Sequence, residues 1–221
     1  DWSSDVCSSD LFLNLLNRLF RSGSQGRMPK RSRARQLARA IELQKSGAVG
    51  PAEAILRQML SSLPRDEDVL HLLGSLLIQQ QRPAEAAAVL REVIALRPDS
   101  AEAHFNLGTA CSALGQFEGA ARYFVRAAAL RPGFAAAHLA LGNALKAARE
   151  PDAAEDAYRN ALSQDPQSAE ALYNLGNLCL QLGRGDEAVD CYRRAVELRP
   201  SFAAAHSDYV YALNFVPGAS P

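Results

Sequence analysis

Residues 101–134, AEAHFNLGTACSALGQFEGAARYFVRAAALRPGF, recur in modified form both before and after this stretch of the chain. The recurrence is easiest to follow from one proline near the end of each copy, because successive prolines are separated by 34 residues. Self-similarity at a fixed period of this length indicates an array of repeats. The prolines that share the period are Pro64, Pro98, Pro132, Pro166 and Pro200.

Alignment on these prolines divides the chain into five repeats and the start of a sixth. The second to fifth repeats each predict a helix, a turn and a second helix. In the third repeat we predict helix A over Ala101–Leu114 and helix B over Phe117–Leu130. The repeats are residues 33–66, 67–100, 101–134, 135–168 and 169–202, followed by a partial repeat or capping helix at 203–221.

Four columns of the alignment carry the same type of residue in successive repeats. A leucine and a glycine stand at positions seven and eight, an alanine at position twenty, and a large apolar residue at position twenty-four. Small residues allow two helices to approach, and the large ones fill the space between neighbouring pairs. The columns are Leu73–Gly74, Leu107–Gly108, Leu141–Gly142 and Leu175–Gly176; Ala52, Ala86, Ala120, Ala154 and Ala188; and Leu56, Leu90, Phe124, Tyr158 and Tyr192.

These columns resemble the tetratricopeptide repeat (TPR) consensus over residues 33–202. The resemblance implies an all-α fold, a right-handed TPR superhelical solenoid of antiparallel helix pairs. In that architecture the A helices line the concave side and the B helices form the convex side. The composition agrees, because 48% hydrophobic residues with only 7% aromatic residues favour stacked helices over a sheet.

Several turn and cap positions can be assigned from residue type. Asp99–Ser100, which follows Pro98, is predicted to cap the next helix, and Asp152 with Glu155 is a predicted capping box. We expect left-handed backbone at the intra-repeat glycines Gly115 and Gly183.

The two ends of the chain do not follow the repeat. We interpret residues 1–11, DWSSDVCSSDL, as a sequencing-adapter scar, and residues 12–32 as an amphipathic patch (12–20, FLNLLNRLF) followed by a basic linker. Between residues 18 and 45 the chain has nine basic residues and one acidic residue. This run allows a nucleic-acid or membrane-surface adaptor, but without interleaved aromatic residues it favours a solvated helix face.

Asparagines on the A helices are the candidate binding residues. Asn106 and Asn174 share position six, and Asn143 and Asn177 share position nine, which places them near one helix face. An amide both donates and accepts hydrogen bonds, so these side chains predict binding of an extended peptide or protein segment in the concave groove. The alternative is that they are consensus surface residues that serve helix packing.

A narrower resemblance concerns the segments HFNLGTA and LYNLGNL, which are similar to repeats of O-linked N-acetylglucosaminyltransferases, where groove asparagines hold substrate peptides. Residues 200–217, PSFAAAHSDYVYALNFVP, resemble the junction that precedes the catalytic domain in bacterial, SPINDLY-like relatives. Asn106 and Asn174 match the asparagine position, whereas Ala140 departs from it. The resemblance implies the substrate-recognition region of a glycosyltransferase whose catalytic domain is absent; the alternative is a free-standing TPR adaptor for assembly or secretion.

No catalytic, metal or cofactor site is predicted. The chain contains no nucleophile elbow, phosphate-binding glycine loop or metal-ligand spacing. No run of about 18 apolar residues predicts a membrane span. We expect a cytoplasmic protein with Cys111, Cys179 and Cys191 as free thiols.

Overall fold

The computed structural model describes residues 29–215, and every regular element in that range is an α-helix. The predicted all-α class is confirmed. The helices of the third repeat are confirmed to within one residue. In chain order the helices are α1 (Lys30–Lys45), α2 (Val49–Ser62), α3 (Glu67–Gln79), α4 (Pro83–Leu96), α5 (Ala101–Ala113), α6 (Phe117–Leu130), α7 (Ala135–Ala147), α8 (Pro151–Gln164), α9 (Ala169–Gln181), α10 (Gly185–Leu198) and α11 (Ala203–Phe215).

The chain forms two compact units, unit 1 at residues 1–115 and unit 2 at residues 116–221. The described part of unit 1 contains α1 to α5, and that of unit 2 contains α6 to α11. Turns within repeats use left-handed backbone where it was predicted, with φ of 74° at Gly115 and 76° at Gly183. The predictions for residues 1–28 and 216–221 lie outside the described residues.

Side chains cap the A helices at three places. Asp66, Ser100 and Ser168 each accept a hydrogen bond from the backbone N–H three residues later, at 3.2 to 3.3 Å. The predicted cap at Asp99–Ser100 is therefore confirmed, and Ser100 is the residue of the pair that forms it. Such a bond satisfies one of the amide donors that a helix leaves unpaired at its start.

The predicted capping box at Asp152 and Glu155 is wrong. Helix α8 begins at Pro151, whose fixed φ suits the first helical position. Asp152 is consequently already inside the helix and cannot cap it. The Glu155 carboxylate instead accepts hydrogen bonds from the Arg184 guanidinium, at 2.9 and 2.5 Å.

Glycine at position eight makes room for the large residue at position twenty-four. A Cβ at Gly142 would lie 2.5 Å from the Tyr158 ring, and a Cβ at Gly176 would lie 2.8 Å from the Tyr192 ring. Both tyrosines are fully buried. Any larger residue at these glycines would collide with a ring that has no free space to move into.

In unit 1 a cluster of charged side chains joins the B helices α2 and α4. Glu53 on α2 accepts from Arg82 at 2.9 Å, and Arg57 lies 2.8 Å from the same carboxylate. Arg82 also pairs with Glu85 at 2.7 Å. The four side chains connect the edge of one B helix to the start of the next.

The same cluster recurs three repeats later in unit 2, between the B helices α8 and α10. Glu155 takes the place of Glu53 and is buried, with Arg184 and Arg159 at 2.5 and 2.6 Å. Glu187 completes the cluster, 3.5 Å from Arg184. These arginines hold the pKa of the Glu155 carboxyl below its usual value, the hydrogen bond from Arg184 being the largest cause.

None of the helices within residues 29–215 is long and apolar enough to cross a membrane.

Candidate functional site

The A helices α7 and α9 of unit 2 bring three asparagines onto one face. Asn143 lies on α7, and Asn174 and Asn177 lie on α9; all three are partly exposed. The Asn174 Nδ2 donates to the Asn143 Oδ1 at 3.0 Å, so the amides of two neighbouring repeats are in direct contact. We call Asn143, Asn174 and Asn177 the amide strip.

Buried tyrosines of the B helices fix the orientation of two of these amides. The Tyr158 hydroxyl donates to the Asn143 Oδ1 at 2.8 Å, and the Tyr192 hydroxyl donates to the Asn177 Oδ1 at 2.8 Å. Burial raises the pKa of both phenols, so both stay protonated and act as donors. The amide oxygens of Asn143 and Asn177 therefore face the protein.

Part of the hydrogen-bonding capacity of the strip is not used within residues 29–215. The Asn143 Oδ1 already accepts from Tyr158 and Asn174, whereas its Nδ2 has no partner among residues 29–215. Asn174 has used its Nδ2 in that contact and keeps its Oδ1. An outward donor and an outward acceptor thus lie on adjacent repeats, which is the pairing that a peptide main chain requires.

A second polar pair extends the site from α9 to α11. The Tyr173 hydroxyl donates to the Asp208 Oδ2 at 2.8 Å, and the Tyr173 ring packs against Phe202 with centroids 4.9 Å apart. Burial raises the pKa of Tyr173, while a hydrogen bond from Asn177 opposes this increase. Tyr173 therefore connects the amide strip to the carboxylate of Asp208.

Asn106 differs from the other predicted site residues. It lies in unit 1, on α5, and only 4% of its surface is exposed. Its Nδ2 is 3.2 Å from the Nε2 of His71 on α3, which is also buried. The expectation that Asn106 faces solvent is wrong, because the imidazole at position five of the preceding repeat occupies the space beside the amide and pairs with it.

The ninth positions of the second and third repeats, both in unit 1, provide hydroxyls that are already used within their own helices. Ser75 Oγ donates to the carbonyl of Leu72 at 2.9 Å, and Thr109 Oγ1 donates to the carbonyl of Phe105 at 3.1 Å. Such local bonds satisfy the side chain within one helix. Unit 1 therefore lacks an equivalent of the amide strip at these positions.

Sequence reasoning missed the polar role of the tyrosines, which it assigned only as space-filling residues. A signal was present in the alignment. Both repeats with tyrosine at position twenty-four, at Tyr158 and Tyr192, have asparagine at position nine, whereas the repeat with Leu90 has Ser75. A pairing between columns nine and twenty-four predicts the hydrogen bond that the structure contains.

A groove of about 440 Å³ opens on unit 2 among α6, α7 and α8. Its walls are largely apolar and include Leu141 and Val125, the latter 53% exposed. Val125 and Ala153 occupy the repeat positions at which the α8–α10 cluster carries Arg159 and Glu187. The groove is therefore the place where apolar residues replace the charged cluster.

The described part of the basic run belongs to α1. Arg33 donates to Asp66 at 2.5 and 2.6 Å and to Asp68 at 2.8 Å, and all three side chains are nearly buried. This guanidinium is used in packing α1 against α3. Arg33 is thus unavailable to phosphates, in contrast to a residue of a solvated basic arm.

The three cysteines within residues 29–215 are free thiols. Cys111 and Cys179 are buried, as expected, and Cys191 is partly buried. Burial raises the pKa of all three thiols, that of Cys191 to about 11. Within residues 29–215, no group of three or more His, Cys, Asp or Glu side chains is placed to hold a metal ion.

A comparison with protein families identifies the repeat. The tetratricopeptide repeat model matches residues 71–135 and 139–203, more than half of the chain. The chain belongs to the tetratricopeptide repeat family. Its helix pairs are those of a TPR solenoid. The fold is that of a scaffold for protein interaction.

Solved TPR proteins share the fold. A crystal structure of MamA is 27% identical with a TM-score of 0.69, covering 75% of this chain and 96% of MamA. TTC0263, from Thermus thermophilus, is 24% identical with a TM-score of 0.65, covering 82% of this chain and 98% of that protein. YrrB, described as a TPR protein with an unusual peptide-binding site, is 20% identical with a TM-score of 0.66, covering 78% and 89% of the two chains. No curated protein sequence matches the chain.

Proposed function

We propose that this TPR protein is a scaffold that binds an extended peptide segment of a partner, and that the amide strip of unit 2 holds the main chain of that segment. The observation that carries the proposal is the fixed orientation of Asn143. Its oxygen accepts hydrogen bonds from Tyr158 and Asn174 at 2.8 and 3.0 Å, which leaves its NH₂ group toward solvent.

The spacing of the strip suits an extended chain. Packed helices lie about 8–10 Å apart, and an extended peptide rises about 3.3 Å per residue, so one repeat spans roughly three peptide residues. A main chain offers an N–H and a C=O at every residue. Amides can pair with both groups without reading the side chains, which suits a scaffold with several partners.

Pre-organisation supports the same role. Free asparagine side chains would have to be fixed on binding, at a cost of about 0.5–1.5 kcal/mol for each rotamer-rich side chain. Here the Tyr158 and Tyr192 hydroxyls already hold Asn143 and Asn177 through hydrogen bonds within the chain. The strip therefore binds with little additional loss of side-chain entropy.

The test uses a library of random nonapeptides with a fluorescent label and measures binding by anisotropy. The variant Asn143→Asp keeps an oxygen for Tyr158 and Asn174, replaces the outward donor by an acceptor, and adds one negative charge. We expect its affinity for the uncharged members of the library to fall about 3- to 10-fold, because one hydrogen bond is worth roughly 0.5–1.5 kcal/mol. The fold, measured by far-UV circular dichroism, is expected to remain unchanged.

Ser75→Ala is the matched control, since Ser75 occupies the ninth position in unit 1 and bonds within its own helix. It is expected to leave the affinity unchanged. Equal binding by wild-type protein and Asn143→Asp would contradict the proposal. So would equal weakening by both variants.

A narrower form of the proposal gives this scaffold the task of presenting substrates to a glycosyltransferase domain. Its support is the similarity of HFNLGTA and LYNLGNL to the transferase repeats, together with the presence of Asn174 in the amide strip. Buried Asn106 weakens this form, because it removes one of the two matching asparagines from solvent. The coding sequence downstream of residue 221 tests it: a nucleotide-sugar transferase domain supports it, and a stop codon favours the free-standing adaptor.

A further inference from the structure

Helix α11 continues the face of the amide strip into the next repeat with a different chemistry. Counted from residue 203, Asp208 holds position six, as Asn174 does one repeat earlier, and Tyr211 holds position nine, as Asn177 does. The Tyr173 hydroxyl fixes one oxygen of Asp208 at 2.8 Å. The strip therefore leads to a carboxylate and a phenol ring.

Among the residues that the structure describes, the Asp208 carboxylate has no counter-ion. It is partly buried, and it forms no ion pair with any basic residue in the part of the chain that the structure describes. The two helices that carry this end of the face, α9 and α11, contain no lysine or arginine; their charged residues are Glu170 and Asp208. A carboxylate that is partly removed from water gains from a cation brought beside it.

Tyr211 adds the second element of a site for a cation. It is 54% exposed, and it follows Asp208 by three residues on the helix, which places both on the same face. A carboxylate next to an exposed aromatic ring suits a guanidinium or ammonium group, which pairs with the first and lies over the second.

We infer that unit 2 selects peptides with a basic side chain, which binds at Asp208 and Tyr211 while the peptide main chain lies on the amide strip. The inference rests on the proposed function, since it concerns the same bound peptide. The main chain of the peptide would bind to the amide strip whatever its sequence, and the basic side chain would add selectivity. The partner would therefore present a basic segment.

The experiment uses three nonapeptide libraries whose central residue is fixed as arginine, glutamine or glutamate. Wild-type protein is expected to bind the arginine library about fivefold more tightly than the glutamine library and to bind the glutamate library most weakly. Asp208→Asn keeps an oxygen that accepts from Tyr173 and removes the charge. This variant is expected to bind the arginine library at the glutamine level, with its affinity for the glutamine library unchanged.

Asp156→Asn is the matched control, because Asp156 is an exposed carboxylate of unit 2 on the B helix α8. It changes the net charge equally and is expected to keep the preference for arginine. If it abolishes the preference as Asp208→Asn does, the preference comes from net charge and the inference is wrong. Tyr211→Ala is expected to lower the preference about twofold without changing binding of the glutamine library.

Two outcomes separate this inference from the proposed function. If all three libraries bind equally and Asn143→Asp weakens each of them, the basic preference is wrong and the main-chain grip stands. If none of the libraries binds to wild-type protein, both are wrong. A melting temperature of Asp208→Asn equal to that of wild type makes the affinity change interpretable as loss of charge.

Discussion

Units 1 and 2 have the same helix pairs and differ in what faces outward from the A helices. In unit 1, Gly74 receives the aliphatic Leu90, and the ninth residue is Ser75, whose hydroxyl bonds to its own helix. In unit 2, Gly142 receives Tyr158, and the phenol hydroxyl holds Asn143. One change in the buried column thus accompanies one change on the surface. The comparison shows that the same helical backbone can present different polar groups, because the residues at positions nine and twenty-four pair in unit 2 and do not pair at Ser75 and Leu90.

The asparagines at position six also differ in their surroundings between the two units. Asn106 in unit 1 is buried against His71, and Asn174 in unit 2 is partly exposed and contacts Asn143. The same residue type at the same repeat position therefore has a packing role in one unit and a candidate binding role in the other. Its role depends on the side chain that the preceding repeat provides.

The largest loss of stability is expected when a side chain fills the space beside Gly142 that the Tyr158 ring occupies. Gly142→Ala places a Cβ 2.5 Å from the Tyr158 ring, and overpacking of this kind costs about 1–3 kcal/mol. Chemical denaturation followed by circular dichroism measures the loss. Gly119→Ala is the control, since the nearest atom to its Cβ would be 3.9 Å away; a similar loss in both variants would show that the ring contact is not the cause.

Acid should affect both charged clusters, which are the feature that the two units share. The pKa values of Glu53 and Glu155 are both lowered, the largest causes being hydrogen bonds from Gln80 and Arg184 respectively. Each carboxylate stabilises the fold above its unfolded pKa of about 4.5, and this contribution is lost as the pH falls through the lower folded value. We expect the wild-type melting temperature to fall by several degrees more between pH 7 and pH 3 than that of Glu155→Gln.

The matched variant for this titration is Asp156→Asn, which removes an exposed carboxylate next to Glu155. It should melt with the same pH dependence as wild type. Parallel curves for Glu155→Gln and wild type would mean that the buried cluster contributes nothing to acid sensitivity.

Removal of the Tyr158 hydroxyl tests the hydrogen bond that connects the buried ring to Asn143 on the A-helix surface. Tyr158→Phe keeps the ring and deletes the donor to Asn143, which is expected to cost about 0.5–1.5 kcal/mol of stability. Affinity for the uncharged nonapeptide library should fall about threefold, because the amide is then held only by Asn174. Calorimetric unfolding and anisotropy give the two values. Unchanged affinity together with lowered stability would leave the phenol a purely structural role.

The smallest change in stability is expected when the asparagine–tyrosine pair of positions nine and twenty-four is introduced into unit 1. The double variant Ser75→Asn with Leu90→Tyr reproduces the residues that unit 2 has at positions nine and twenty-four. We expect a stability change within about 1 kcal/mol and a new hydrogen bond between the two introduced side chains, visible in a crystal structure. Leu90→Tyr alone is the control and should be the less stable of the two, because its hydroxyl would be buried without a partner.

The fold could be predicted almost completely from the sequence, because a period of 34 residues repeats the same helix and turn signals several times. Gly115 and Gly183 marked the turns, and Asp99–Ser100 marked a helix start. The prediction for Asp152 was wrong because Pro151 starts the helix one residue earlier. Comparison of several repeats shows where a helix usually begins, but it does not show where a helix begins in one particular repeat.

The candidate site could be predicted only in part. Residue type and spacing pointed to Asn143, Asn174 and Asn177, and the structure shows that Asn143 and Asn174 are in contact. The burial of Asn106 depends on a histidine 35 positions earlier, a contact between repeats that the consensus of one repeat does not contain. Contacts between repeats determine which side chains remain exposed to solvent, and these contacts are visible only in the three-dimensional structure.

The phenols behind the amides have a consequence for the conditions under which the strip operates. Neither a buried tyrosine with a raised pKa nor a carboxamide changes charge between mildly acidic and mildly alkaline solution. The pattern of donors and acceptors presented by Asn143 and Asn177 is therefore invariant across physiological acidity. A partner held by these groups alone would stay bound through changes of compartment that release ligands from histidine-based sites.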